Sequence, residues 1–197
     1  MRVISGRFKG VALTTPKAGT RPTTDRTKEA IFSHLDSWGV LDDARVLDLF
    51  AGTGALGIEA LSRGARELVA VESSAPAAAL IAQTLTALKH NRSWEHGMSA
   101  RVVKARAEKY AASASAVEPF DMVFIDPPYA FETNDCNQLL ADLASRELTS
   151  SNTVIMLERS TRSGAPMAPV NWEITDRRDY GETAVYYIEP INPIAES

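Results

Sequence analysis

The apolar positions along the chain change period twice. Residues 2–14 alternate loosely, with Val3-Ile4, Phe8, Val11 and Leu13 set around Gly6 and Lys9-Gly10, which predicts a small β-hairpin or ribbon. A loop at 17–20, flanked by Gly and Pro, follows. Thr23 or Thr24 is placed to cap a helix with Asp25 in its first turn, and Ile31, Phe32, Leu35 and Trp38 recur at helical spacing along its inner face. From residue 45 onward, short apolar runs alternate with helical stretches. Strands are predicted at 45–50, 67–72, 100–104, 120–126 and 153–158, and helices at 55–63, 75–89, 107–115 and 134–145. Two last strands, 172–177 and 183–189, are joined by a short connection.

Five strands with crossovers predict an α/β, doubly wound, mostly parallel sheet with helices on both faces. The last two strands add an antiparallel pair at one edge, giving a Rossmann-like sheet of seven strands. Residues 1–40 read as an N-terminal basic hairpin plus helix extension, 41–190 as the main domain and 191–197 as a frayed tail. Such a sheet holds ligands at the carboxyl ends of its strands, near the reversal of strand order.

Composition narrows the class. With 45% apolar and 23% charged residues in 197, the chain reads as one globular unit with a full core. No apolar run approaches the length of a membrane span, and none follows Arg2, Arg7 and Lys9 as a signal peptide requires, so a cytoplasmic protein is expected. One cysteine, Cys136, excludes an internal disulfide, and the scattered His34, His90 and His96 give no metal-ligand spacing. No coiled-coil signal points beyond a monomer. The net charge of −4 hides an asymmetry: residues 1–30 hold seven Lys/Arg against two acids, the rest fourteen against twenty-three. A basic arm on an acidic body suits a phosphate-bearing partner; a solvated charged tail is the plainer alternative.

Two motifs carry chemistry. The first, Asp48-Leu49-Phe50-Ala51-Gly52-Thr53-Gly54-Ala55-Leu56-Gly57, ends the first strand of the main domain and fits G-x-G-x-x-G, and Glu72 ends the next strand. Gly52 and Gly54 permit a tight turn and close approach to a ligand, and Glu72 can accept from both ribose hydroxyls of an adenosine. NAD and S-adenosylmethionine suit these glycines equally. Asp48 favours the second, since a carboxylate there reaches a methionyl ammonium but sits badly beside a pyrophosphate. The second motif, Asp126-Pro127-Pro128-Tyr129, follows the apolar run at 122–125. The prolines stop the strand and fix the Pro127 carbonyl beside the Asp126 carboxylate. Two such acceptors can each take one hydrogen of a planar exocyclic amine, freeing its lone pair for an electrophile, and Tyr129 offers a face on which an extruded base stacks.

These residues resemble the class I S-adenosylmethionine-dependent methyltransferases that act on exocyclic amines. The nearest likeness is to the RsmD family of bacterial 16S ribosomal RNA guanine-N2 methyltransferases. Three blocks carry it: Arg21-Pro22-Thr23-Thr24-Asp25-Arg26-Thr27-Lys28-Glu29-Ala30-Ile31-Phe32, the stretch 47–65, and Asp126 to Tyr129. The resemblance implies that S-adenosylmethionine lies across Asp48, Gly52, Gly54 and Glu72 with Arg26 near it. It also implies that Asp126, Pro127 and Tyr129 hold the guanine, and that Arg21 joins Arg2, Arg7 and Lys9 on the phosphates of 16S RNA in the small subunit. The third strand departs from the wider superfamily by ending Lys104-Ala105-Arg106-Ala107, without the acid that often binds the adenine amine. Adenine recognition then rests on the amide of Arg106 or Ala107, or on Glu108.

Three rivals stand beside this reading. A DNA adenine-N6 methyltransferase uses the same Asp-Pro-Pro-Tyr, but no stretch remains here to read a DNA sequence. A nicotinamide-dependent oxidoreductase leaves Asp48 and Asp126 unexplained, and an RNA-binding assembly factor has no need of them. Cys136, at a helix start or loop, reads as an incidental thiol, His34 and His90 as boundary residues, and Trp38 as core. Tyr180-Gly181-Glu182-Thr183 reads as a turn that can also face substrate.

Overall fold

The computed structural model describes residues 1–14 and 23–192. The loop expected at 17–20, Arg21 and most of the tail at 191–197 lie outside them. The helix expected after the arm forms as α1 (Asp25–Trp38), with Thr24 as its cap: the Thr24 hydroxyl accepts from the Thr27 amide at 3.2 Å. The α/β alternation follows as β1 (Arg45–Leu49), α2 (Ala55–Ser62), β2 (Glu67–Glu72), α3 (Ala75–Lys89), β3 (Ser99–Lys104), α4 (Ala107–Ser113), β4 (Met122–Ile125), α5 (Thr133–Ser145), β5 (Val154–Ser160), β6 (Trp172–Tyr180) and β7 (Thr183–Pro190).

These strands form one seven-stranded sheet in the order β3-β2-β1-β4-β5-β7-β6, with β1 to β5 parallel and β7 antiparallel to both neighbours. The order reverses between β1 and β4, so the loops after these two strands meet at the carboxyl edge. Alternate residues of the central strands feed two cores. Val46, Leu68 and Phe124 pack on one face against α1, α2 and α3; Leu47, Val69 and Val123 pack on the other against α4 and α5.

Several boundaries shift for physical reasons. The N-terminal ribbon closes through a single antiparallel bridge, Arg2 to Ala12, because its tip is committed elsewhere. The Arg7 amide donates to the Ser62 carbonyl at 2.8 Å, and Gly6 (φ 89°) lies where a Cβ would fall 2.0 Å from that same oxygen. β4 ends at Ile125, since Pro127 and Pro128 cannot extend the ladder. β5 and β6 run further than expected, to Ser160 and Tyr180, because β7 pairs with both as far as Thr183. Cys136 is buried inside α5 rather than at a loop, and Trp38, read as core, is 39% exposed. Its ring closes over His34 and Tyr187 at 4.0 and 4.9 Å, and His34 Nε2 lies 3.3 Å from Asp176 on β6.

The extension is fixed to the main domain by a buried ionic junction. Glu59 on α2, fully buried, accepts from the amides of Ile4 and Ser5 at 2.9 and 3.1 Å and from Arg63 Nε at 2.9 Å. Lys28 of α1, also fully buried, stands 3.6 Å from Glu59 and donates to the Arg2 carbonyl at 3.1 Å.

Candidate active site

A cleft of about 1580 Å³ opens at the carboxyl edge of the sheet, where the loops after β1, β2, β3, β4 and β5 converge. The turn after β1 forms its floor. Phe50, Gly52 and Gly54 all have positive φ (58°, 59° and 78°), a conformation easy for glycine and strained for phenylalanine. The Phe50 ring is held edge-on to Phe131 at 5.0 Å, which keeps the strained backbone in place. Gly57 serves packing: a Cβ there would fall 2.4 Å from Leu68 Cδ1 and 3.1 Å from Asp48 Oδ2. Its absence lets α2 lie against β1 and β2 and lets the Gly57 amide donate to Asp48 Oδ2 at 3.0 Å.

Asp48 is 1% exposed and lines the cleft, and the Gly57 bond is the one hydrogen bond its carboxylate makes among the described residues. Burial pushes its carboxyl up to about 8; the Gly57 bond opposes the shift, and the charges of Asp126 and Glu72 add to it. Glu72 ends β2 and accepts from the Gly52 amide at 3.2 Å and the Ser74 amide at 3.4 Å, so its carboxylate is held between the turn and the start of α3. Arg26 reaches the rim from α1. Arg106 caps α4 from the opposite wall, with Ala107 and Glu108 beside it and its guanidinium 3.4 Å from Glu108. A buried carboxylate with one hydrogen bond beside a glycine turn, with a second carboxylate at the next strand end, is an acceptor set that suits a cationic amino-acid group joined to an adenosine.

The second wall is the Asp-Pro-Pro-Tyr turn. The Pro128 carbonyl accepts from the Phe131 amide at 2.9 Å, whereas the Pro127 carbonyl takes no hydrogen bond among the described residues. Tyr129 is 73% exposed at the mouth. Thr23 Oγ1 lies 3.5 Å from Asp126 Oδ2 and 3.3 Å from Glu158 Oε2, joining two carboxylates through one hydroxyl. Burial raises both carboxyls above their ordinary range, and for Glu158 the charge of Asp126 adds to the effect. The residues 180–183, read as a turn, form the β6–β7 hairpin tip and line the cleft above Glu158 and Arg159.

The cleft thus gathers Arg26, Asp48, Gly52, Glu72, Arg106, Ala107, Asp126, Pro127 and Tyr129, with Gly54 at the start of α2 just behind the turn. It does not gather the basic arm. Arg2 is exposed and donates to the Gly10 carbonyl at 2.7 Å, Lys9 is exposed at the ribbon tip, and Arg7 is 3.3 Å from Glu95 and 3.1 Å from Met98 Sδ. The tip rests on the C-terminal end of α2, far from the cleft, and Met1 alone of the ribbon lines it. Thr23 and Glu158 were not singled out from the sequence. Glu158 carried a signal nonetheless: it ends an apolar run, as Glu72 and Asp126 do. No His/Cys/Asp/Glu group suited to a metal occurs among the described residues.

Residues 1–189 match the family model described as conserved hypothetical protein 95. The chain is similar to ribosomal RNA small subunit methyltransferase D of Escherichia coli strain K12, with 33% identity over 93% of this chain and 87% of that protein. The protein of the same name from Haemophilus influenzae is 31% identical over 92% and 89%. Among solved structures, the Escherichia coli protein yhhF superposes with a TM-score of 0.81 at 32% identity, covering 96% of this chain and 97% of that one. Magnesium protoporphyrin IX methyltransferase of Synechocystis PCC 6803 shares the fold alone, with a TM-score of 0.62 at 13% identity over 87% and 86%.

Proposed function

The chain belongs to the RsmD family, that of conserved hypothetical protein 95, and from this membership we propose that it methylates the exocyclic 2-amine of a guanine in 16S ribosomal RNA of the small subunit. The observation that carries the reading is the shared cleft: Asp48, Gly52 and Glu72 on one wall, Asp126, the free Pro127 carbonyl and exposed Tyr129 on the other. S-adenosylmethionine, held by Asp48, Glu72 and the turn between them with Arg26 and the 105–108 segment at its rim, supplies an electrophilic methyl group on a sulfonium.

This chain's residues do the rest. Tyr129 stacks the extruded base, and Asp126 and the Pro127 carbonyl each accept one hydrogen of the 2-amine, which fixes the nitrogen and turns its lone pair inward. As positive charge develops on that nitrogen, the Asp126 carboxylate stabilises it at close range. No strong base is needed, because an alkylated ammonium sheds its proton readily. A monomer is proposed as the working unit. Arg2, Lys9 and Arg21 remain the proposed phosphate contacts. Arg7 can join them by exchanging the exposed Glu95, a surface pair of little strength, for RNA. The reading carries a cytoplasmic location with it, and no helix among the described residues is long and apolar enough to cross a membrane.

The deciding test offers labelled S-adenosylmethionine with undermethylated small subunits, naked 16S RNA and duplex DNA, and identifies the labelled nucleoside by mass. N2-methylguanosine from ribosomal RNA is the expected product; N6-methyladenine from DNA overturns the reading.

The buried Asp48 gives this reading a pH signature. A cationic ligand binds the ionised carboxylate, so below a carboxyl value of about 8 one proton must leave on binding. Affinity for S-adenosylmethionine therefore rises from pH 6 towards pH 8, by up to about tenfold per pH unit, and falls again where the ligand's own ammonium loses its proton. Calorimetric titration across that range checks the slope, and Asp48→Asn removes it while weakening binding throughout.

A further inference from the structure

Asp126, just past the end of β4, and Glu158, within β5, stand side by side at the cleft. β4 and β5 run parallel with Ile125 opposite Leu157, so the next residue of each emerges at the same level on strands about 4.8 Å apart. Both carboxylates face the cleft and share one hydroxyl, that of Thr23, which has a single proton to give. No cation pairs with either among the described residues: the neighbouring Arg159 is turned to the Phe131 carbonyl at 2.7 Å. The wall therefore presents two adjacent acceptors with one long, shared donor between them. Burial together with mutual repulsion disfavours ionising both, so among the described residues the pair has room for further donors.

We propose that Glu158 is the residue that selects guanine, its carboxylate accepting the N1–H of the target base while Asp126 accepts from the 2-amine. This rests on the guanine-N2 reading above. The Watson–Crick edge of guanine offers two neighbouring donors, N1–H and the 2-amine, which match two neighbouring acceptors. Adenine offers a donor beside a bare N1 acceptor, whose lone pair would face the Glu158 carboxylate. A site built to take a hydrogen bond strongly rejects an analogue that cannot give one, because the buried acceptor is left unpaired. Glu158 is thereby a specificity residue, and the family motif ending at Tyr129 supplies amine capture without choosing among amine-bearing bases.

The test uses small-subunit RNA carrying 2-aminopurine in place of the target guanine. That base keeps the 2-amine but has an acceptor at N1. Its missing O6 weighs equally on every enzyme variant, so the comparison between variants cancels it. The wild type is expected to prefer guanine in kcat/KM by about 10²-fold or more. Glu158→Gln keeps the side-chain shape, can donate to N1 of 2-aminopurine, and is expected to shrink that preference by at least about tenfold with S-adenosylmethionine affinity unchanged. Glu158→Asp, still an acceptor, lowers the rate and keeps the preference. A wild-type preference in Glu158→Gln overturns the assignment. So does a loss of cofactor affinity that accounts for the loss of activity, which would give Glu158 to the cofactor's ammonium instead. Absence of N2-methylguanosine from the wild type is a separate outcome: it removes the guanine reading, and this inference with it.

Discussion

Asp126→Ala lowers the turnover of methyl transfer to small-subunit RNA by about 10²–10³-fold and leaves the Kd for S-adenosylmethionine within about threefold, on the scale of losing one preorganised electrostatic partner of a transition state. The carboxylate follows β4, the strand beside the β1 that carries Asp48, and in the proposed site it forms with the Pro127 carbonyl the pair of acceptors for the amine. Its removal deprives the attacking nitrogen both of alignment and of the charge that balances its developing positive charge. Asp126→Asn separates the two contributions, because an amide oxygen still accepts a hydrogen bond but carries no charge; its rate is expected between the wild type and Ala. The fold should gain from the change. Burial beside Glu158 raises the Asp126 carboxyl, so above its unfolded value ionisation costs the native state stability, and removing the group relieves Glu158 as well. Thermal unfolding at pH 8 should therefore give a Tm for Asp126→Ala no lower than the wild type's. Single-turnover rates with saturating RNA, cofactor titration and that melt decide the matter together. Loss of cofactor binding would move Asp126 to the cofactor's side of the cleft, and a lower Tm would make it structural.

The legible part of this protein was the part written in local period and punctuation. The cap of α1, one of the two threonines expected, the strand ending at Glu72 and the glycine turn each depend on residues within a few positions of one another, and each formed where its signal lay. Charge was the poorer guide. Seven basic residues in the first thirty suggested an arm reaching for phosphate, yet Arg7 is engaged with Glu95 and Lys28 is buried against Glu59. A count of charges carries no information about which ones the fold consumes. Contacts made across the sheet were also beyond local reading. His34 and Asp176 meet only because β6 takes the edge beyond β7 and α1 packs over it, and Trp38 is exposed because its ring lies over that junction rather than in the core. Thr23 and Glu158 come together in the same way: one precedes α1, the other ends the apolar run of β5, and the pairing of β5 with β4 and the docking of α1 bring both beside Asp126.

The same limit hid Glu59, whose replacement carries the largest expected cost to stability. Glu59→Ala is expected to destabilise the fold by roughly 3–5 kcal/mol, the range for breaking a buried ion pair by removing one partner. The carboxylate has no contact with solvent and four claims on it: the Ile4 and Ser5 amides, Arg63 and Lys28. Without it the fully buried Lys28 ammonium keeps, among the described residues, the Arg2 carbonyl as its acceptor, and two amides of the ribbon lose theirs. For a chain of this size that cost lowers Tm on the order of 10 °C, read by calorimetry, with denaturant titration giving the free energy directly. Removing both charges tells apart the cost of a stranded ion from the worth of the pair. Glu59→Leu combined with Lys28→Met leaves no uncompensated charge, so it should recover a large share of the loss even though the ribbon amides stay unpaired. A double variant as unstable as Glu59→Ala would assign the energy to the ribbon amides alone. The junction also bears on activity, because Met1 of the tethered ribbon lines the cleft, and α1 carries Arg26, with Thr23 just before it, to the rim. In Glu59→Ala below its melting temperature, KM for RNA should therefore rise more than kcat falls. A fall in kcat alone would mean that the ribbon and α1 keep their places without Glu59.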